Sequence, residues 1–321
     1  MIIRETTADT YAATIQRHPH IYNTPQFASL NAWKADNVVY LLFEDNGKTR
    51  FGMILGERGG KLLSPFSSPF GGFSSNHEQS LKKVEEAVEA LSLYAKEKRK
   101  DIRIVLPPQI YDDSVFANNQ CFAYTVNVLS RHAKQKCIDL NYFFQLSKFA
   151  NYDTCIERNA RKNLRHALAS DLEFVAIDRD DTEGKMRAYN VISLNRKERG
   201  FPLRMTWEDV EKTTHLIPAD FFLVRHEGSD IAAAQVFHVA PDIAQVIYWG
   251  DLRAYSAMRP MNFLSYHLFK HYSTLGLSIL DIGISTEDGV PNYGLCQGLH
   301  GTPARRQCRY LRGARGRSRR E

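Results

Sequence analysis

Long apolar runs are missing from this 321-residue chain. No stretch approaches the ~20 uninterrupted apolar residues that a membrane-crossing helix needs, so no membrane span is expected. The opening residues, Met1-Ile2-Ile3-Arg4-Glu5-Thr6, have no basic region leading into an apolar segment, so no signal peptide is expected. Cysteine is sparse: Cys121, Cys137, Cys155, Cys296 and Cys308 are odd in number, scattered, and form no Cys-x-x-Cys pair. That favours reduced structural thiols and a cytoplasmic location over a disulfide framework or a zinc knuckle. No Gly-x-Ser-x-Gly elbow, Walker loop or Gly-x-Gly-x-x-Gly fingerprint occurs, and Gly59-Gly60 and Gly71-Gly72 read as turns. His267 and His271 stand four apart, but no glutamate follows the first and no third ligand is in sight. They read as a surface or packed pair, and no metal site is expected.

What is present is ordinary for a folded protein. Apolar residues make up 43% and charged residues 24%, which suits a sizeable core, and the length suits two domains. The net charge of +6 suggests nucleic acid until its placement is read. Residues 298–321 hold eight arginines, no lysine and one acid, which leaves 34 basic and 35 acidic groups in the preceding 297 residues. The basic character therefore belongs to the end of the chain, which reads either as a phosphate-binding tail or as an out-of-frame translation of the last codons.

One order of elements occurs twice, about 180 residues apart. In the first copy, strand Val38–Phe43 meets the hairpin signal Asn46-Gly47, then strands Thr49–Leu55 and Lys61–Pro65. A Ser/Gly/Pro-rich loop, Phe66 to Asn76, leads to a helix marked by Leu81, Val84, Ala87, Leu91 and Tyr94, and then to strand Ile102–Leu106. The second copy has Phe221–Arg225, the turn Glu227-Gly228-Ser229, Ile231–Val239 and Ala244–Trp249. A loop from Gly250 to Arg259 follows, then a helix opening at Pro260 and strand Ser278–Ile282. Between the copies lie strand Cys137–Leu146, helix Ile156–Ala169, strand Leu172–Ile177 and helix 183–198. The fold class is α+β, a duplication with one domain over 1–150, a second over 151–297 and the Arg-rich segment 298–321. The boundary is expected near Ser147–Asp153.

Several segments in order carry a family likeness. They are Ile138-Asp139-Leu140, the run Arg158-Asn159-Ala160-Arg161-Lys162-Asn163-Leu164-Arg165-His166-Ala167, Tyr248-Trp249-Gly250, Pro260-Met261-Asn262-Phe263-Leu264, Leu280-Asp281-Ile282-Gly283 and Asn292-Tyr293-Gly294-Leu295. Together they resemble the FemAB-like aminoacyltransferases and their acetyltransferase relatives. The resemblance implies two tandem GNAT-like (acyl-CoA N-acyltransferase) domains, with mixed, largely antiparallel sheets flanked by helices. It also implies transfer of an acyl or aminoacyl group to an amine, often of an amino sugar or cell-envelope precursor. Two departures stand out. The loop into the helix, Asp251 to Arg259, has no glycine, whereas acyl-CoA enzymes usually place one there for close approach to the pyrophosphate. The continuation Cys296-Gln297-Gly298-Leu299-His300 also replaces the Phe-Lys pair and closing strands of the relatives.

Amine acylation needs a neutral amine, a stabilised oxyanion and a proton for the leaving group. The resemblance puts the donor between strands Ala244–Trp249 and Ser278–Ile282, in the second domain. Tyr248 or Tyr293 is then a candidate acid and Asp251 a candidate base. The plain reading has Tyr248 and Trp249 as packing residues and Asp251 as the start of a turn. Arg158, Arg161, Lys162 and Arg165 fall at i, i+3, i+4 and i+7, a cationic helix face that suits phosphate or is merely solvated. Asn195, Arg196 and Arg199 end the following helix and face an acceptor in this scheme, with Trp249, Asn262 and Asn292 as further binding residues. No bound cofactor is expected, and acyl-CoA is the expected co-substrate. The net charge of −1 before the tail disfavours aminoacyl-tRNA, which stays open as an alternative donor. A catalytically inactive precursor-binding module is the rival reading.

Overall fold

The computed structural model describes residues 1–111, 121–284, 286–287, 290–291 and 302–311, with side chains for 1–111 and 125–284. The chain divides into two compact units, one built on Met1–Asp139 and one on Leu140–Glu287. The division falls inside a strand, earlier than the loop the sequence suggested.

The first unit opens with β1 (Ile2–Thr6), α1 (Ala8–Thr14) and α2 (Pro25–Leu30). Thr7 and Thr24 cap the two helices by accepting from Thr10 N and Phe27 N, and Pro25 takes the first turn of α2, where no N–H is needed. β2 (Asn37–Asp45) and β3 (Lys48–Arg58) form the expected hairpin, with Asn46 (φ 50°) and Gly47 (φ 73°) both left-handed at its tip. β4 (Lys61–Ser64), the short β5 (Phe73–Ser74), α3 (Leu81–Glu97), β6 (Asp101–Val105) and α4 (Cys121–His132) follow. The sheet runs β1-β2-β3-β4-β6, antiparallel except for the parallel pair β4–β6. A strand over Thr302–Leu311 lies antiparallel to β6, with Cys308 opposite Val105.

The helix periodicity is realised in α3. Val84, Ala87, Val88 and Leu91 are fully buried against Leu41, Phe43, Phe51 and Met53 of the sheet, each large side chain contributing about 1.5–3 kcal/mol. Leu81, assigned to the same stripe, is 40% exposed because it occupies the first helical position.

The second unit takes the latter part of β7 (Lys134–Gln145). Then come α5 (Tyr152–Cys155), α6 (Arg158–Leu168), β8 (Glu173–Ile177), α7 (Thr182–Glu198) and α8 (Trp207–Thr214). β9 (Ala219–His226), β10 (Ser229–Ala240), β11 (Ile243–Asp251), α9 (Pro260–Thr274) and β12 (Ile279–Ile284) complete it. Strand order is β7-β12-β11-β10-β9-β8, antiparallel except for β11–β12. A hairpin, a third strand, a helix and a parallel fourth strand thus recur in both units. Ile156 lies ahead of α6, where its N–H closes α5 on Tyr152 O.

One core face of the second unit joins Ile231, Ala232, Ala234, Val236, Ala244 and Val246 of the sheet to Leu264, Leu268 and Tyr272 of α9, and to Leu164 and Ala167 of α6. α7 packs with β10 and β11. Among the described residues no helix is long and apolar enough to cross a membrane.

Candidate functional site

The sequence pointed to the end of β11, and the backbone there departs from regular sheet in two ways. β10 and β11 pair Gln235 with Tyr248 and then Val236 with Val246, so Ile247 is an extra residue, a β-bulge. β11 also leaves its parallel neighbour early. Described pairing with β12 covers Ile243–Ile279 to Gln245–Asp281, although β11 continues to Asp251 and β12 to Ile284. Two parallel strands that part in this way leave backbone groups of the bulged strand facing a wedge.

Buried polar groups mark the point of parting. Asp281, fully buried, accepts from Gln245 Nε2 at 2.7 Å, from Asn141 Nδ2 at 2.7 Å and from Gly283 N at 3.0 Å. A carboxylate with several such bonds holds the strands in register where sheet pairing stops.

Beyond it, α7 is pinned to the end of β11. Asn195 Nδ2 donates to Asp251 O at 2.6 Å, and Arg199 donates to Asp251 Oδ1 at 3.2 Å. Gly250 is required here, because a Cβ would run into the Asn195 side chain. The Arg196 guanidinium lies 5.7 Å from the centre of the Tyr248 ring. Burial raises the Tyr248 pKa, with Arg196 and Arg204 opposing. Burial also raises that of Asp251, against the pull of Arg199. The structure therefore brings Arg196 to Tyr248, and Asn195 and Arg199 to Asp251.

Trp249 points to the opposite face and packs, half-buried, on the core beneath α9. Asn262 stands half-buried on the first turn of α9, its carbonyl accepting from Ser265 Oγ at 3.2 Å. On α6, Arg158, Lys162 and Arg165 are exposed, while Arg161 is half-buried and donates to Ile156 O at 3.2 Å. Among the described residues these cations have no hydrogen bond or ion pair to Tyr248 or Asp251. Instead α6 runs beside α9 and the turn before it, with His166 Nε2 3.1 Å from Ala257 O. Tyr293 and Asn292 lie outside the described residues.

Two other clusters were not read from the sequence. Asp220 accepts from His238 (2.6 Å), Tyr272 (2.9 Å) and Arg179 (2.9 Å). Burial alone would raise its pKa, but these partners hold it at about 2. Glu85, Glu89 and His132 of the first unit bring metal-type ligand atoms within 4.8 Å of one another, yet Arg131 already holds Glu85 at 2.7 Å. His267 stacks on Phe174 and His271 sits edge-on to Phe222, the packed arrangement, with burial lowering both pKa values.

The first unit treats its parallel pair differently. Gly71 of the loop Phe66–Asn76 donates its N–H to Val105 O at 2.8 Å, just past the last β4–β6 pair, and Gly72 N donates to Ser64 Oγ at 3.0 Å. Phe70, 1% exposed, is buried with the loop. That unit's own chain occupies the place beside the parallel strand ends.

No family model matches the sequence, and no curated protein matches it. Solved structures do match the fold. FemX superposes with a TM-score of 0.62 at 13% identity over 94% of this chain and 91% of that one. The C-terminal domain of a putative lysylphosphatidylglycerol synthetase from Agrobacterium fabrum gives 0.58 at 10% identity over 96% and 93%. The L-PGS structure from Bacillus licheniformis gives 0.55 at 12% over 97% and 92%. The fold is that of two tandem GNAT-like domains, of the kind FemX has, as the resemblance implied.

Proposed function

We propose that this protein is an N-acyltransferase whose second unit binds the donor and moves an acyl or aminoacyl group to an amine. The observation that carries the reading is the wedge between β11 and β12, with a bulged strand leading directly to Tyr248 and Asp251. The amine nitrogen attacks the donor carbonyl carbon, and the oxyanion is met by backbone N–H of the bulged strand. Asp251, made more basic by burial, takes the amine proton directly or through water. Tyr248, held protonated at neutral pH, supplies the proton with which the thiolate or alkoxide leaves.

The donor in this reading is small, acyl-CoA. The loop before α9 lacks glycine, but Arg259 itself adopts the left-handed conformation (φ 58°) at the helix start. A non-glycine residue there costs about 1–2 kcal/mol, and such strain gathers at functional sites. The missing glycine therefore does not count against a phosphate-bearing donor at α9, with the cations of α6 alongside. The acceptor is the amine of an amino sugar or cell-envelope precursor. The alternative donor, aminoacyl-tRNA, draws support from the putative lysylphosphatidylglycerol synthetase domain, whose name implies a lysyl transfer.

The test is a screen of acetyl-CoA and charged tRNAs against glucosamine and precursor peptides. Tyr248→Phe should lower turnover about 10²- to 10⁴-fold with donor affinity unchanged, and Asp251→Asn should abolish the acid limb of the pH profile. Donor turnover that survives both changes would overturn the assignment. Specific precursor binding with no turnover of any donor would favour an inactive binding module.

A further inference from the structure

Both strands that flank the wedge are bulged where they part, and one carboxylate sits at that point. β11 gains Ile247 against β10. β12 gains Ile282 against β7, since Asp281 pairs with Phe143 and Gly283 with Tyr142. Gly283 then takes a positive φ of 88°. Asp281 is fully buried in the last described β11–β12 pair, opposite Gln245. Its Oδ2 accepts from Gln245 Nε2 on β11 at 2.7 Å. Its Oδ1 accepts from Asn141 Nδ2 on β7 at 2.7 Å and from Gly283 N on its own strand at 3.0 Å. One side chain thus ties three neighbouring strands and takes up an N–H that a regular strand would offer to a neighbour. Leu280, Ile282, Ala244 and Val246 join the core beneath α9. Asp281 and Gln245 therefore lie on the opposite face, the one that carries Tyr248 beside Arg196.

We propose that Asp281 is a positioning residue of the transfer: its carboxylate stops β11 and β12 from pairing beyond Gln245, so that backbone N–H of β11 stays open to the donor carbonyl. This deepens the N-acyltransferase reading and rests on it. Only a carboxylate suits the place. N–H donors from three strands converge on it, and a carboxylate is acceptor-only with room for all of them. A carboxamide would turn an NH2 group toward one of those donors. An apolar side chain would strip Gln245 and Asn141 of these bonds and release the Gly283 N–H for sheet pairing.

The experiment uses the full chain, its Asp281→Asn and Gln245→Glu variants, and the two changes combined. Asp281→Asn sets one NH2 group against another across the strands, and Gln245→Glu sets one carboxylate against another. The combined variant again faces a donor with an acceptor, the roles exchanged, while the remaining oxygen at position 281 still accepts from Asn141 and Gly283. Amide hydrogen exchange is read residue by residue without ligand. In each single variant the N–H groups of residues 246–249 that face β12 should exchange at least about tenfold more slowly, as the strands pair further. The combined variant should return to the wild-type pattern. Unchanged exchange, or faster exchange spreading through residues 243–245, would overturn the proposal, because Asp281 would then be a plain structural tie. With the donor found by the screen above, kcat should fall about 10²-fold at unchanged KM in the single variants and recover in the combined one. A raised KM at unchanged kcat would overturn the proposal as well. Gln245→Met, which removes one tie and adds no charge, takes the place of a single variant that does not fold. A wild type that turns over no donor, with variants whose exchange shifts as described, counts against the transferase reading. Exchange that does not shift counts against Asp281 alone.

Discussion

Replacing Gly250 by alanine probes the contact that fixes the end of β11. The added Cβ would overlap the Cγ and Oδ1 of Asn195 and stand 2.9 Å from its Nδ2. Asn195 cannot swing clear at no cost, since it is 2% exposed and donates to Asp251 O at 2.6 Å. Overpacking of this kind costs about 1–3 kcal/mol, and a stranded buried amide adds about 1–3 kcal/mol. Gly250→Ala should therefore lose roughly 2–6 kcal/mol of stability in urea denaturation. Asn195→Ala alone should lose about 1–3 kcal/mol through the missing hydrogen bond. In the double variant the clash is gone, so its loss should fall short of the sum of the two singles by at least about 1 kcal/mol. Strict additivity would show that Gly250 and Asn195 do not meet, and the positioning of Asp251 by α7 would go with it.

Two further outcomes are expected. His20, 2% exposed among Tyr22, Phe70 and Tyr111, has its pKa held at about 3 by burial. The unfolded chain therefore takes up a proton between about pH 6.5 and pH 3 that the folded chain refuses, so stability is full above that window and falls through it by up to about 5 kcal/mol. His20→Leu should flatten this acid slope in the first unit, and an unchanged slope would refute the assignment. Arg161→Gln with Arg165→Gln should weaken CoA or tRNA binding about tenfold while costing about 0.5–1.5 kcal/mol of stability for the lost bond to Ile156 O; unchanged affinity for both returns α6 to a solvated face.

Much of the fold could be read because its signals are local. Asn46-Gly47 and Glu227-Gly228 supply the left-handed residues of two hairpins, and both turns form with positive φ at each position. The stripe Val84, Ala87, Leu91 and Tyr94 buries as periodicity demands. The short or weakly amphipathic helices escaped notice. α2 has only six residues, though Thr24-Pro25 announced it. α8 carries a complete capping box, Thr206 with Asp209, that could have been found. The division inside β7 was hidden because β7 is one continuous strand, and its alternation continues without a break across Asp139 and Leu140.

The position of Tyr248 and Asp251 at the end of β11 was legible in the sequence, and what depends on pairing across distance was not. Nothing adjacent in sequence links Asn141 to Asp281, 140 residues apart, or Asn195 to Asp251. Trp249 shows the limit most sharply. Its neighbour Tyr248 shares the candidate site, yet the alternation of a strand turns Trp249 to the other face, under α9. The bulge at Ile247 decides which face Tyr248 takes, because one extra residue reverses every side chain that follows it. Without the bulge Trp249 and Gly250 would exchange places with their neighbours, Tyr248 would fall into the aliphatic core, and Asn195 would have no glycine to rest against. The candidate chemistry of the second unit therefore hangs on a single inserted residue, which composition and periodicity do not register.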